Sequence, residues 1–180
     1  NALEKLLRLS QITAGILPYT ETETGEAKVQ IIDSNKLDTV VEIIQDLPPK
    51  EPVVVFYRFK PEVRLLKERL IEIDRVPCEI SGSMDEQEKF EAGEADVACV
   101  QIQAGGEGLD CLKRAHYCIY QSFTYSLGQY KQSRARILRP GQTQHCFYYH
   151  LVARKTVDKK ILKALAKKEE VVNYVLRKII

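Results

Sequence analysis

The sequence has no tryptophan, a single methionine and no apolar run close to the roughly 18 residues that a membrane-spanning helix needs. Its first residues also lack the pattern of a secretory signal peptide. The five cysteines are odd in number and include no Cys-x-x-Cys pair, so we expect reduced thiols rather than a disulfide framework. These absences predict an intracellular, cytoplasmic protein without membrane contact.

Two nucleotide-binding signatures are missing as well. No glycine is followed by lysine, which excludes the Gly-Lys-Ser/Thr phosphate loop, and the Gly-x-Gly-x-x-Gly fingerprint is absent. Cys111, His116 and Cys118 fit no common zinc spacing and lack a fourth ligand. The chain is therefore not expected to cradle a triphosphate by itself or to hold a metal.

Charge is divided unevenly along the 180 residues, although the net charge is only +2. Residues 1–110 contain 12 lysines and arginines against 22 acidic residues, whereas residues 111–180 contain 15 against 3. Such a basic half favours a polyanionic partner such as nucleic acid. Helix faces exposed to solvent would account for the same excess of basic residues, so charge alone does not identify a partner.

Apolar runs of strand length alternate with segments of helical periodicity. The stretches "VVVFY", "ADVACV", "AHYCIY" and "HCFYYH" are typical of strands buried on both faces. Helical segments that end at proline or glycine lie between them. The alternation predicts an α/β fold with a mostly parallel central sheet flanked by helices. Ligands of such sheets bind at the carboxyl ends of the strands.

The two ends of the chain have their own patterns. The opening segment "NALEKLLRLSQITAGIL" has helical spacing that ends near Gly15 and Pro18, and "YTETETGEAKVQ" is typical of a surface loop or hairpin. A long amphipathic helix is expected from Thr156 onward. The sequence begins at Asn1 rather than Met, so we expect it to be a fragment of a longer protein. We divide it into a helical lead-in with a polar loop (1–50), a central domain (51–155) and a C-terminal helix (156–180).

Two stretches contain the candidate ligand-binding residues. "QIQAGGEGLD", residues 101–110, follows a buried strand and has three glycines, which permit close approach of the backbone to a ligand. In "QSRARILRPGQ", Gln132, Arg136 and Arg139 recur at the spacing of one helix face, and Pro140 places Arg139 at the helix end. Paired guanidinium groups suit phosphates. The alternative is a solvated basic helix face.

These stretches resemble motifs V and VI of superfamily 2 helicases, and their glutamine, arginine pair and Gly-Gln ending are most similar to Swi/Snf-type ATPases and their phage relatives. "VVVFYRF" resembles motif IV, and "EISGSM" resembles the strand and Gly-Ser turn that follow it. The resemblance covers residues 50–155 in the family's motif order. It implies the second RecA-like lobe, with a three-layer fold, of an ATP-dependent nucleic-acid translocase or helicase.

The resemblance also implies roles for single residues. ATP with Mg would lie in a cleft between two lobes, where the N-terminal lobe of the same protein supplies the phosphate loop and the Mg ligands. Arg136 and Arg139 would be catalytic arginine fingers. The nucleotide-binding set would be Gly108, Asp110, Gln132, Arg136 and Arg139. The nucleic acid, expected to be double-stranded DNA, would contact Tyr57, Arg58, Ser81, Gly82, Gln103, Ala104 and Gly105.

Some positions depart from the family pattern. Many relatives have a serine or threonine two residues before the arginine-like position of motif V, where this chain reads Gln101-Ile102-Gln103. Leu138 stands where Swi/Snf relatives often have histidine. These departures suggest a divergent viral or bacterial member. The chain alone is expected to be inactive as an ATPase. The alternative to a translocase or helicase lobe is a non-catalytic nucleic-acid- or protein-binding module on a RecA-like scaffold.

Overall fold

The computed structural model describes residues 2–104 and 109–179, with side chains over 3–104 and 109–169. Gly105 and Gly108, which the resemblance assigns to binding, lie outside the described residues. Within the described part of the chain, no helix is both long and apolar enough to cross a membrane. The elements are α1 (Ala2–Thr13), β1 (Ile16–Thr20), β2 (Ala27–Ile31), α2 (Asn35–Gln45), β3 (Val53–Tyr57), α3 (Lys60–Glu72), β4 (Pro77–Ile80), α4 (Gln87–Ala92), β5 (Val97–Gln101), a short 3-10 helix (Asp110–Arg114), β6 (Tyr117–Tyr120), α5 (Leu127–Ile137), β7 (Phe147–His150) and α6 (Val157–Ile179).

Five strands form one parallel sheet in the order β4-β5-β3-β6-β7. The central strand β3 pairs with β5 from Val53 to Tyr57 and with β6 from Val53 to Phe56, and all five of its residues are buried. A continuous apolar strand is stable there because helices cover both faces of the sheet. The predicted α/β fold with a parallel sheet is confirmed.

Alternate residues of the strands face opposite sides of the sheet. Val53 and Val55 pack with α2 and α3, whereas Val54 and Phe56 pack with α4, the 3-10 helix, α5 and α6. The result is a three-layer, RecA-like arrangement. The division at residues 50 and 155 stays a prediction, but elements on the far side of both boundaries share these cores through Leu37, Val40, Ile44, Val157, Ile161 and Leu165.

The polar segment near the N-terminus is a hairpin, in which β1 and β2 pair antiparallel. The preceding helix ends at Thr13, so Ile16 and Leu17 belong to β1 rather than to the helix that their spacing predicts. The reason is Gly15, whose φ of 80° is readily adopted by glycine. A Cβ at this position would lie 2.1 Å from the Asp33 carbonyl oxygen, so only glycine lets β1 start against the chain that leaves β2.

Candidate nucleotide and nucleic-acid site

The parallel sheet brings the loops of the predicted site to one edge. Strands β3, β4 and β5 end at Tyr57, Ile80 and Gln101, and all three point the same way. The described nucleic-acid positions that follow these ends therefore share the carboxyl edge. They are Arg58, Ser81, Gly82, Gln103 and Ala104.

A small cavity lies at this edge between α5 and the carboxyl ends of β3 and β5. Gln132 and Arg136 of α5 both line it, so they share one helix face as their spacing predicts. Gln132 is exposed, whereas the Arg136 side chain is 7% exposed. The other lining residues are Phe56, Val100, Gln101, Ile102, Leu109, Gln129 and Ser133.

Arg139 lies just beyond the end of α5 at Ile137, and its guanidinium forms an ion pair with Asp110 at the start of the 3-10 helix. The two side chains are 39% and 66% exposed. Burial lowers the pKa of Arg136, and the positive charge of Arg139 lowers it further. The fold therefore keeps the two guanidinium groups close enough for the charge of one to act on the other.

Buried hydrogen bonds fix α5 on the sheet. The Ser133 hydroxyl donates to the Tyr130 carbonyl oxygen at 2.8 Å, so the Tyr120 hydroxyl, 2.7 Å from Ser133 Oγ, donates to the serine. One turn earlier, the Tyr130 hydroxyl lies 2.9 Å from His150 Nε2. Burial lowers the pKa of His150, which favours the neutral imidazole that can accept this bond. These contacts set the position of Arg136, three residues after Ser133.

Arg134 lies on the same helix but faces away from the cavity. Its guanidinium lies 5.9 Å from the Tyr130 ring centre and 5.3 Å from the Tyr148 ring centre, with a Glu169 carboxylate oxygen 4.0 Å away. Arg134 therefore points elsewhere than Arg136. It is a suitable control for the two arginines at the site.

The loop after β3 is held by a buried carboxylate. Glu62, which is 1% exposed, accepts hydrogen bonds from the Arg58 and Phe59 backbone amides at 3.2 and 2.8 Å and from the Ser122 hydroxyl at 2.9 Å. Ser122 Oγ in turn accepts from the Arg58 amide at 2.8 Å. Burial raises the pKa of Glu62, and the donors around it oppose that rise. The network fixes the backbone at Arg58.

The other predicted contact residues differ in accessibility. The Tyr57 side chain is fully buried, and its hydroxyl donates to Glu79 Oε1 at 3.3 Å. A phosphate can therefore contact the neighbours of Tyr57 but not the tyrosine side chain itself. Ser81 donates to the same Glu79 oxygen at 2.9 Å. Gln101 bridges two loops, because its Nε2 donates to the Arg58 carbonyl at 3.3 Å and its Oε1 lies 3.5 Å from the Gly82 amide.

Several residues that shape this edge were not identified from the sequence. They are Glu62, Tyr120, Ser122, Tyr125 and Ser133. The polar cluster "QSFTYS" directly after the buried strand β6 could have indicated two of them, since polar side chains at the carboxyl end of a buried strand face the ligand edge. Nothing in the local sequence marks the other three.

Cys111, His116 and Cys118 are the metal-ligand types that stand near one another in the sequence. Among the side chains described, those of residues 3–104 and 109–169, no three His, Cys, Asp or Glu gather as a set of metal ligands. Cys111 and Cys118 are buried, and burial raises the pKa of Cys111 to about 11 and that of Cys118 well above its usual range. Both thiols therefore stay protonated at neutral pH and pack as core residues.

The chain belongs to the family described as the helicase conserved C-terminal domain, whose model matches residues 35–141, more than half of its length. The matched region begins with α2, contains the whole carboxyl edge of β3 to β6 and ends just after Arg139. Membership of this family confirms the predicted relationship to the C-terminal lobes of superfamily 2 helicases.

The chain is similar to two fungal chromatin-remodelling ATPases named INO80. It is 25% identical to the protein of Aspergillus oryzae over 166 residues, which are 88% of this chain and 11% of that protein. With the protein of Mycosarcoma maydis it shares 23% identity over 168 residues, 89% of this chain and 9% of that protein. The chain thus spans about a tenth of the length of these relatives.

Two solved structures share the fold. The C-terminal part of the Fun30 ATPase domain superposes with a TM-score of 0.63 and 21% identity, over 72% of this chain and 44% of that chain. The Hef helicase domain of Pyrococcus furiosus superposes with a TM-score of 0.57 and 16% identity, over 74% of this chain and 28% of that chain. Both similarities support the RecA-like fold.

Proposed function

We propose that this chain is the C-terminal lobe of an ATP-dependent translocase or helicase that acts on double-stranded DNA, with Arg136 and Arg139 as its arginine fingers. The observation that carries the proposal is the position of these arginines beside Gln132 and Asp110 at the carboxyl edge of the sheet. Family membership supports the general class of ATP-dependent helicases and remodelling enzymes.

The residues at this edge fit the phosphates of ATP bound with Mg. Arg136 offers a guanidinium with little exposed surface, and Gln132 offers an amide at the mouth of the same cavity. Arg139 can exchange the Asp110 carboxylate for a phosphate oxygen at small cost, because an exposed ion pair contributes about 0–1 kcal/mol. When bound, ATP supplies a γ-phosphoryl group that gathers negative charge in the transition state of hydrolysis.

The contribution of this chain to hydrolysis is electrostatic. Arg136 is already desolvated and fixed by α5, so it stabilises developing negative charge without reorganising water. Arg139 adds a second guanidinium from the helix end. The phosphate loop and the Mg ligands come from an N-terminal lobe, so the chain alone does not hydrolyse ATP.

Nucleic acid binds beside this site, along the loops after β3, β4 and β5. Gln101 connects the two, because it lines the cavity with Arg136 and contacts the Arg58 carbonyl and the Gly82 amide. A movement of the cavity wall on ATP binding would therefore shift the loops that contact the phosphate backbone. Contacts of this kind carry no sequence information.

The test is DNA-stimulated ATPase turnover by a protein that joins this chain to an N-terminal RecA-like lobe. Arg136→Ala and Arg139→Ala should each lower kcat by about 10³-fold or more, because arginine fingers contribute that much in phosphoryl transfer. DNA affinity should change little. Arg134→Ala is the matched control, since Arg134 lies on the same helix and faces away from the cavity.

Two results would contradict the proposal. A wild-type kcat in Arg136→Ala and Arg139→Ala would show that these arginines do not act on ATP. Turnover by the chain alone, above that of an Arg136→Ala preparation, would show that the site is complete without a second lobe. An inactive joined protein whose DNA affinity depends on salt but not on ATP would favour the non-catalytic binding module.

A further inference from the structure

We propose that Tyr125 is a positioning residue that presents the Arg58 guanidinium to a backbone phosphate of the nucleic acid, and that α1 and α6 hold Tyr125 in place. The inference rests on the proposed nucleic-acid function. It gives a role to the two terminal helices, which lie outside the family match at residues 35–141.

The Arg58 side chain has the surroundings of an anion-binding group. Its guanidinium lies 4.4 Å from the ring centre of Tyr125 and 5.1 Å from that of Phe59. Among the side chains that the structure describes, no carboxylate forms an ion pair with it, and its buried Nη1 has no hydrogen-bond acceptor. Aromatic rings that contact the face of a guanidinium orient it and leave its N–H groups free to donate hydrogen bonds. An oxyanion is the acceptor that these N–H groups prefer.

The loop after β6 supports both parts of Arg58. Ser122 accepts a hydrogen bond from the Arg58 backbone amide, and Tyr125, three residues later, stacks on its guanidinium. The backbone and the side chain are therefore positioned by a single loop. Arg58 itself lies at the carboxyl edge of the sheet, directly after β3.

Tyr125 is in turn held by the two terminal helices. Its hydroxyl donates to the Leu6 carbonyl of α1 at 2.9 Å and contacts Ser10 Oγ of the same helix. Its own carbonyl accepts from Lys168 Nζ of α6 at 3.3 Å. These three contacts fix the ring that orients Arg58, and Lys168 adds a second positive charge near it. A displacement of α1 would consequently move the ring and weaken the phosphate contact.

The experiment measures the affinity of this chain for a short DNA duplex of mixed sequence at several salt concentrations. Arg58→Ala should weaken binding and reduce the slope of log affinity against log salt by about 1, the signature of one lost phosphate contact. Tyr125→Leu should weaken binding about three- to tenfold, the range of a cation–π contact. Tyr125→Phe keeps the ring but removes its hydroxyl contacts with α1, so its affinity should lie between those of Tyr125→Leu and wild type.

The decisive comparison is the double variant Arg58→Ala with Tyr125→Leu. It should bind no more weakly than Arg58→Ala alone, since the tyrosine acts only through the arginine. Tyr148→Leu is the matched control, because it removes a similar aromatic contact from Arg134 and should leave DNA affinity unchanged. Thermal unfolding of each variant separates a loss of positioning from a loss of folded protein.

Other outcomes overturn the inference in distinguishable ways. Wild-type affinity in Tyr125→Leu, or effects that multiply in the double variant, would exclude the positioning role and leave the proposed function intact. Wild-type affinity in Arg58→Ala would remove the phosphate contact itself, again without touching the arginine fingers. Absence of DNA binding by the wild-type chain would contradict the inference, while the ATPase test on the joined protein would still decide the proposed function.

Discussion

Arg75 and Arg136 are equally buried, each 7% exposed, but they stand at opposite edges of the sheet and have opposite surroundings. Arg75, at the amino edge, donates to the Asp96 carboxylate at 2.8 Å, to the Ile44 carbonyl at 3.2 Å and to the Glu51 carbonyl. At the carboxyl edge, Arg136 lines the small cavity beside α5, and burial and the guanidinium of Arg139 lower its pKa.

The difference separates two uses of a buried arginine. At the amino edge the guanidinium and its carboxylate neutralise each other, and the pair joins the segments before β4 and β5 to α2. At the carboxyl edge the fold brings a second guanidinium, that of Arg139, close enough to lower the pKa of Arg136. Ionisable groups with shifted pKa values are typical of functional sites.

The largest effect on stability is expected at the amino edge. Arg75→Ala leaves the Asp96 carboxylate buried without its cation, which should lower the free energy of unfolding by about 3–5 kcal/mol. Denaturant unfolding of the chain measures this. Arg69→Ala is the control, because its ion pair with Asp38 is exposed and should contribute about 0–1 kcal/mol. Equal losses in the two variants would contradict the distinction.

Acid should lower the stability of the chain through His150, the last residue of β7. His150 has a lowered pKa in the folded chain, so below its ordinary value of 6.5 the unfolded chain binds a proton that the folded chain does not. Stability contributed by neutral His150 is complete above pH 6.5 and is lost as the pH falls below that value. His150→Gln should lose less stability over this interval, as followed by unfolding at a series of pH values. An identical pH dependence in both proteins would exclude His150.

The smallest effect is expected for the exposed pair at the site. Asp110→Asn removes the carboxylate that pairs with Arg139 but should change the free energy of unfolding by no more than about 1 kcal/mol, because both side chains are well exposed. Denaturant unfolding again gives the value. A loss comparable to that of Arg75→Ala would mean that Arg139 is held for stability rather than for a ligand.

The sequence was sufficient to predict the sheet and the positions of its loops. The continuous apolar run at β3 and the alternation of strands and helices have a direct physical cause, since both faces of a parallel sheet are covered. The shared face of Gln132 and Arg136 was predicted for a similar reason, because helical spacing fixes it. The roles of these residues toward ATP and DNA remain predictions.

The contacts between distant segments could not be predicted in this way. Tyr125 and Leu6 are 119 residues apart, and Arg58 and Ser122 are 64 apart, so no local pattern relates them. The close approach of Gly15 to Asp33 is similar, because the glycine alone does not reveal which part of the chain passes beside it. Such pairs depend on how the layers pack, and only the folded chain brings them together.

Whether Arg136 is held for a ligand or for stability is decided by the free energy of unfolding of this chain with Arg136→Met, compared with wild type and Arg75→Ala. If Arg136 is retained for ligand binding, its replacement should lower stability clearly less than Arg75→Ala, which breaks a buried ion pair. A loss of about 3–5 kcal/mol, as expected for Arg75→Ala, would instead make Arg136 a structural residue. Such a loss would contradict a catalytic role for Arg136 at the carboxyl edge.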